Sequence, residues 1–173
     1  MVKGPVTTSP FSAWIRVLRP GNLVIIAASI ASLRWSYSNH IPESGEYFLE
    51  ILFILPLVLL AAGGNIINDY FDIKEDRVNK PERALVGRVL KRRIAVVSHW
   101  GLSAAGLFIA GMLSVKINTS IPFVIALIIA IVLFLYSTKF KGSVLFGNVI
   151  VACAVASVVP FAYADSIDTS PPL

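Results

Sequence analysis

Charge is scarce in this chain: Asp, Glu, Lys and Arg make up 14% of its 173 residues, against 56% apolar residues and a mean hydropathy of +0.77. Soluble domains carry about a quarter charged residues, so this composition points to an integral membrane protein. Cysteine occurs once, at Cys153 inside an apolar run, so no disulfide can form within the chain and a small core residue is the expected role. Histidine is limited to His40 and His99, which leaves zinc without a ligand set. Nothing resembles the twelve-residue calcium loop with its Gly and terminal Glu. Repeats, low-complexity tracts and soluble domains are also missing, so residues 1–173 read as a single transmembrane domain.

What the chain does have is apolar length. Runs near the roughly 20 residues needed to cross a bilayer occur at Asn22 to Trp35, Phe48 to Ile67, Ile94 to Ser114, Ile121 to Ser137 and Val144 to Ala164. The expected fold is therefore all-α, an integral membrane helical bundle of about five transmembrane helices. The first run is the weakest. Its core, Leu23 to Leu33, has the length of a signal-peptide h-region, but Arg34 and Trp35 look like an interfacial anchor rather than a cleavage region. The Gly101, Gly106 and Gly111 series suits close helix packing, and Pro56, Pro122 and Pro160 read as packing kinks.

The few cations are unevenly spread. Of 15 Lys and Arg, 13 lie in the N-terminal segment, between Ile73 and Arg93, or at Lys139 to Lys141; Arg34 and Lys116 are the exceptions. With five alternating helices those segments share one side, and the positive-inside rule makes that side, with the N-terminus, cytoplasmic. A net charge of +5 is then mostly a topology feature, and nucleic acid is not an expected partner.

The Asp-rich cytoplasmic loop, about residues 68–93, opens with N-D-Y-F-D-I-K-E-D-R-V-N-K from Asn68 to Lys80. On one helix Asp69, Asp72 and Asp76 fall at i, i+3 and i+7, with Asn68 four before Asp72, so all four can face one side. Acids stacked beside hydrocarbon repel, and a bound divalent cation reverses the sign. Magnesium suits them, because it takes oxygen ligands and is commonly held by one or two carboxylates plus substrate phosphates. The basic residues Lys74, Arg77, Lys80, Arg83, Arg88 and Lys91 to Arg93 supply charge for a diphosphate. A substrate with a phosphate head at the rim and an apolar tail between helices fits both features.

These residues resemble the UbiA superfamily of intramembrane prenyltransferases. Its first Asp-rich motif, N-D-x-x-D-x-x-x-D followed by a basic residue and N-K-P-E-R, is matched by Asn68, Asp69, Asp72, Asp76, Arg77, Asn79, Lys80, Pro81, Glu82 and Arg83. The Arg-Pro-x-Asn opening of the first helix is matched by Arg19, Pro20 and Asn22, and the Tyr-Ser end of the fourth by Tyr136, Ser137, Lys139, Lys141, Gly147 and Asn148. The resemblance implies transfer of an isoprenyl group from a prenyl diphosphate to an acceptor, with Mg²⁺ held by Asn68, Asp69, Asp72 and Asp76. It implies that Asp72 and Asp76 are catalytic through the metal, that Arg77, Lys80, Tyr136 and Lys139 bind diphosphate, and that Arg19, Asn22 and Asn148 contact substrate. The segment Arg83 to Arg88 lacks the Pro-rich turn of quinone-pathway members and is similar to geranylgeranylglycerol-phosphate geranylgeranyltransferases. That favours a lipid-type acceptor such as a prenylated glycerol phosphate, with an aromatic or quinone precursor as the alternative.

One departure is large. Family members have about nine helices and a second Asp-rich motif, whereas here Asp165 and Asp168 follow the fifth run on the expected outer side and read as a solvated tail. The chain therefore reads as truncated. It reads as a fragment, as one part of a split enzyme with a second chain supplying the missing half, or as a non-catalytic relative that binds lipid or a partner. A cation transporter fits less well, because the acids cluster at one rim.

Overall fold

In hydrocarbon a helix satisfies its own backbone polar groups, and helix is what these apolar runs form. The computed structural model describes residues 9–38, 45–82, 84–140 and 144–167. They build α1 (Pro10–Leu18), α2 (Pro20–Ser38), α3 (Tyr47–Phe71), α4 (Ile73–Asn79), α5 (Arg92–Lys116), α6 (Ile121–Leu135), α7 (Val144–Ala156), α8 (Val158–Ala162) and α9 (Ala164–Ile167). A π-helical turn, Tyr136–Phe140, continues α6. Among the described residues the one β contact is an isolated bridge between Val86 and Leu90. His40, Arg83, Lys141 and Asp168 lie outside the described residues.

The chain is an all-α membrane bundle. Among the described residues α3, α5 and Ile121–Lys139 are long and apolar enough to cross a bilayer, and α1 with α2, bent by 42°, adds a fourth if taken as one span. Two of the five expected spans are thereby corrected. The first does not stop near Arg34: α2 runs on to Ser38, because Arg34 meets its counter-charges inside the protein and is only 7% exposed. The fifth is broken into α7, α8 and α9. Pro160 has no N–H to offer Ala156, where α7 ends, and the Ser157 hydroxyl donates back to the Ala154 carbonyl at 2.7 Å. Cys153 is exposed on α7 rather than in the core.

Helix α3 is the centre of the bundle, with α2, α5 and α6 against it. Glycine lets the backbones close. A Cβ on Gly106 would stand 3.0 Å from the Pro56 carbonyl oxygen, and one on Gly63 would stand 3.3 Å from that of His99. Of the glycines expected to pack closely, only Gly106 does so. Gly111 would make ordinary contact with Phe123 at 3.7 Å, and Gly101 would meet nothing within 4 Å. His99 is a satisfied core residue, with Nδ1 3.0 Å from the Gly63 oxygen and its ring stacked on Phe134.

Each end of α3 carries an ion-pair cluster. At the Glu50 end, Arg34 donates to Glu50 (2.9 Å), to Asp165 (2.7 Å) and to the Ala162 carbonyl (3.1 Å), with its guanidinium 3.7 Å from the centre of the Phe53 ring. Asp165 is thus a tertiary anchor and not part of a solvated tail; the apolar packing of Phe161 on Phe53 brings its short helix to Arg34. At the other end, Arg19 pairs with Asp69. Glu50 and Asp69 are 19 residues apart, which at 1.5 Å per residue is about 28 Å, close to the roughly 30 Å of a bilayer's hydrocarbon.

Candidate metal and diphosphate site

The site starts from a break between α1 and α2. Pro20 has no N–H and opens α2 at the first helical position, where Pro is tolerated. Arg19, between α1 and α2, takes a left-handed conformation (φ 54°, ψ 62°) that a side chain with a Cβ rarely adopts. The carbonyl of Leu18 accepts a hydrogen bond from Asn65 Nδ2 at 2.9 Å, while the Arg19 carbonyl accepts from the Asn22 N–H at 2.9 Å. This geometry aims Arg19 at α3, where Nη2 meets Asp69 Oδ1 at 2.5 Å.

On the facing side, α3 ends at Phe71 and the chain turns at Asp72 into α4. The acids are therefore not on one continuous helix. The corner nevertheless keeps them together, with the Asp72 N–H bonded to the Asn68 carbonyl (3.0 Å) and the Asp76 N–H to that of Asp72 (2.8 Å). Asn68 Nδ2 donates to Asp72 Oδ2 at 3.0 Å, and Asn68 Oδ1 is buried without a partner among the described residues.

Together these residues enclose a cavity of about 630 Å³ lined by Arg16, Arg19, Asn22, Asn68, Asp69, Asp72, Asp76, Lys80 and Leu85. That volume lies within the usual range for small-molecule sites. The wall from Ala84 to Leu90 is folded rather than loose: Leu85, Val86 and Leu90 are buried with Ala13 and Val17 of α1 and Ile66 and Ile73.

Seven of the residues expected from sequence thus meet in one cavity: Arg19, Asn22, Asn68, Asp69, Asp72, Asp76 and Lys80. Four do not line it. Arg77 turns toward Gly87, Lys139 and Asn148 are exposed, and Tyr136 lines a separate apolar cavity of about 140 Å³ with Ile26, Leu57, Leu133 and Val151. Arg16, Leu85 and the positioning contact of Asn65 were not expected. The i, i+3 spacing of Arg16 and Arg19 was the available clue for the first.

The donors suit a hard cation in part. All are oxygens, and the orphaned Asn68 Oδ1 wants a positive partner. No group of three carboxylates is close enough to hold one ion among the described residues. Magnesium does not need such a cage, because waters and substrate phosphates complete its shell. Charge balance argues the same way: Arg16, Arg19 and Lys80 offset Asp69, Asp72 and Asp76 one for one, so an incoming diphosphate needs further positive charge.

The chain is similar to proteins of known name and to one of known structure. Digeranylgeranylglyceryl phosphate synthase of Thermococcus gammatolerans is 37% identical over 153 residues, covering 86% of this chain and 50% of that protein. The enzyme of the same name from Sulfolobus acidocaldarius is 44% identical over 151 residues, 83% of this chain and 49% of that protein. A solved structure from work on the biosynthesis of digeranylgeranylglyceryl phosphate synthase in membranes superposes with a TM-score of 0.77 at 29% identity, over 90% of this chain and 53% of that one. The chain thus spans about half the length of the relatives it matches. Residues 22–171 match the model of the UbiA prenyltransferase family, and the chain belongs to that family.

Proposed function

We propose that the chain forms the donor half of an Mg²⁺-dependent intramembrane prenyltransferase, which moves an isoprenyl group from a prenyl diphosphate to a glycerol-phosphate lipid acceptor. The observation that carries this reading is the cavity itself, with acids and cations in equal number at a membrane rim. The acceptor class follows the names of the relatives. A divalent cation held by Asn68 and Asp72, with Asp69 and Asp76 beside it, would neutralise the charge that grows on the departing diphosphate. Arg16 and Lys80 reach into the same space and would hold the diphosphate oxygens. Arg19 is paired with Asp69 at the cavity wall and is placed to contact a phosphate there. As the allylic C–O bond breaks, its electron pair leaves with the diphosphate and the carbon becomes cation-like; an acceptor hydroxyl oxygen then attacks that carbon and gives up its proton to the released diphosphate. The N-terminus and the Asp-rich loop lie on the cytoplasmic side in this reading.

With no three carboxylates close enough to hold one ion among the described residues, a second reading is that the chain binds prenyl diphosphate without transferring its prenyl group. Membranes carrying the chain, alone and together with the second half of a relative, separate the two. Mg²⁺-dependent transfer of a labelled prenyl group is expected, and Asp72→Ala should lower it about a hundredfold or more, the loss typical of a group that stabilises transition-state charge. Undiminished transfer in that variant would refute the metal role. Retained donor binding without product in either membrane would leave the binding-only reading.

A further inference from the structure

The strip after α4 has two faces. Gly87 N–H donates to the Leu90 carbonyl at 2.7 Å and the N–H groups of Val89 and Leu90 share that of Leu85, which folds the strip back on itself. Leu85 faces the Asp-lined cavity. The opposite face forms a second concavity of about 480 Å³, lined by Gly87, Arg88, Val89, Leu90, Lys91 and Arg92. Gly87 has φ +81°, and a Cβ there would stand 3.1 Å from Arg92 Nε and 3.6 Å from Arg77 Nη2. Guanidinium groups from two helices, α4 and α5, thus close on one notch of backbone that glycine leaves open. Arg88 Nη1 is fixed on the Pro81 carbonyl at 2.9 Å.

This positive charge has no counter-ion among the described residues. Among the described residues the ion pairs belong to Arg19 and Arg34, and none reaches Arg77, Arg88, Lys91, Arg92 or Arg93. Helix α5 also starts here with no acid in its first turn, so its positive end adds to the repulsion instead of offsetting it. Exposed cations that only mark topology could spread apart, whereas Arg77 and Arg92 converge.

We propose that this concavity binds the phosphomonoester head of a membrane amphiphile through Arg77 and Arg92, with Arg88 and Lys91 at its edge. Planar guanidinium groups match a doubly charged phosphate better than a singly charged phosphodiester. One extension rests on the transferase reading: there this phosphate is the acceptor's, held across the 84–90 strip from the donor's diphosphate.

The test is a binding measurement without divalent metal or prenyl diphosphate, so it fails or succeeds apart from the transferase reading. The purified full chain is titrated with phosphatidylcholine vesicles that contain phosphatidic acid or, at matched surface charge, phosphatidylglycerol. Tighter binding to phosphatidic acid is expected, and the double variant Arg77→Gln with Arg92→Gln should lose that preference about tenfold, as expected for lost charged hydrogen bonds. Lys116→Gln, at the other end of α5, should keep it. Competition by soluble glycerol phosphate would assign the site to the head group alone, and persistence of the preference against that competitor would assign it to the membrane-anchored ligand. Equal binding of the two lipids, or an equal loss in Lys116→Gln, overturns the proposal.

Discussion

Arg34 shows how one side chain can decide where a helix ends. Its guanidinium is 7% exposed, bonded to two carboxylates and a carbonyl, and stacked on Phe53. A buried cation of this kind contributes little net stability compared with an apolar residue, but its removal strands the partners it leaves behind. Arg34→Ala should therefore cost about 3 kcal/mol, since Glu50 and Asp165 would then face each other unpaired. The same substitution at Lys116, which makes no ion pair among the described residues, should cost little. Thermal unfolding of the two variants in detergent measures the difference. Equal melting temperatures would show that the Arg34 cluster does not hold α2, α3 and the α8–α9 segment together.

At the level of elements, the interface of α3 with α5 depends on one glycine far more than on its neighbours in sequence. Gly106→Ala places a methyl 3.0 Å from a backbone oxygen that cannot move aside cheaply, and overpacking of that sort costs about 1–3 kcal/mol. Gly101→Ala meets open space and should instead stabilise α5 by about 0.5–1 kcal/mol, the ordinary helix preference of Ala over Gly. Opposite shifts in melting temperature are expected, and a loss in both would mean that α5 has another neighbour at Gly101. This contrast also marks what could be read from the chain alone. Apolar run length located α3, α5 and α6 because lipid imposes that length, and the spacing of Asn68, Asp69, Asp72 and Asp76 survived a helix break because the Asp72 corner keeps their backbone bonded in register. Which of three evenly spaced glycines touches a carbonyl, or that Arg34 would find Asp165 from 131 residues away, depends on how helices pack. Local pattern carries no information about that. Arg77 makes the same point inside the motif, since its guanidinium lies beside Gly87 and not in the cavity that Asp76 lines.

At the level of the whole molecule, the two ends of the bundle differ in kind. The end that carries the Asp-lined cavity also carries Lys74, Arg77, Lys80, Arg88 and Lys91 to Arg93, whereas the Glu50 end has Arg34, already neutralised by Glu50 and Asp165, and Lys116. Unpaired Lys and Arg resist transfer across a membrane and set orientation, so the cavity end should face the cytoplasm. Single cysteines in a Cys153→Ser background report this directly. Val78→Cys replaces an 82% exposed residue on α4, and Gly45→Cys sits in the exposed turn before α3, about one hydrocarbon thickness away. A membrane-impermeant maleimide added to intact cells should label Gly45→Cys and spare Val78→Cys, and inverted vesicles should reverse the pattern. Labelling of Val78→Cys from outside would invert the bundle. It would also put the cavity on the side opposite to the cytoplasmic one on which the proposed donor role places it.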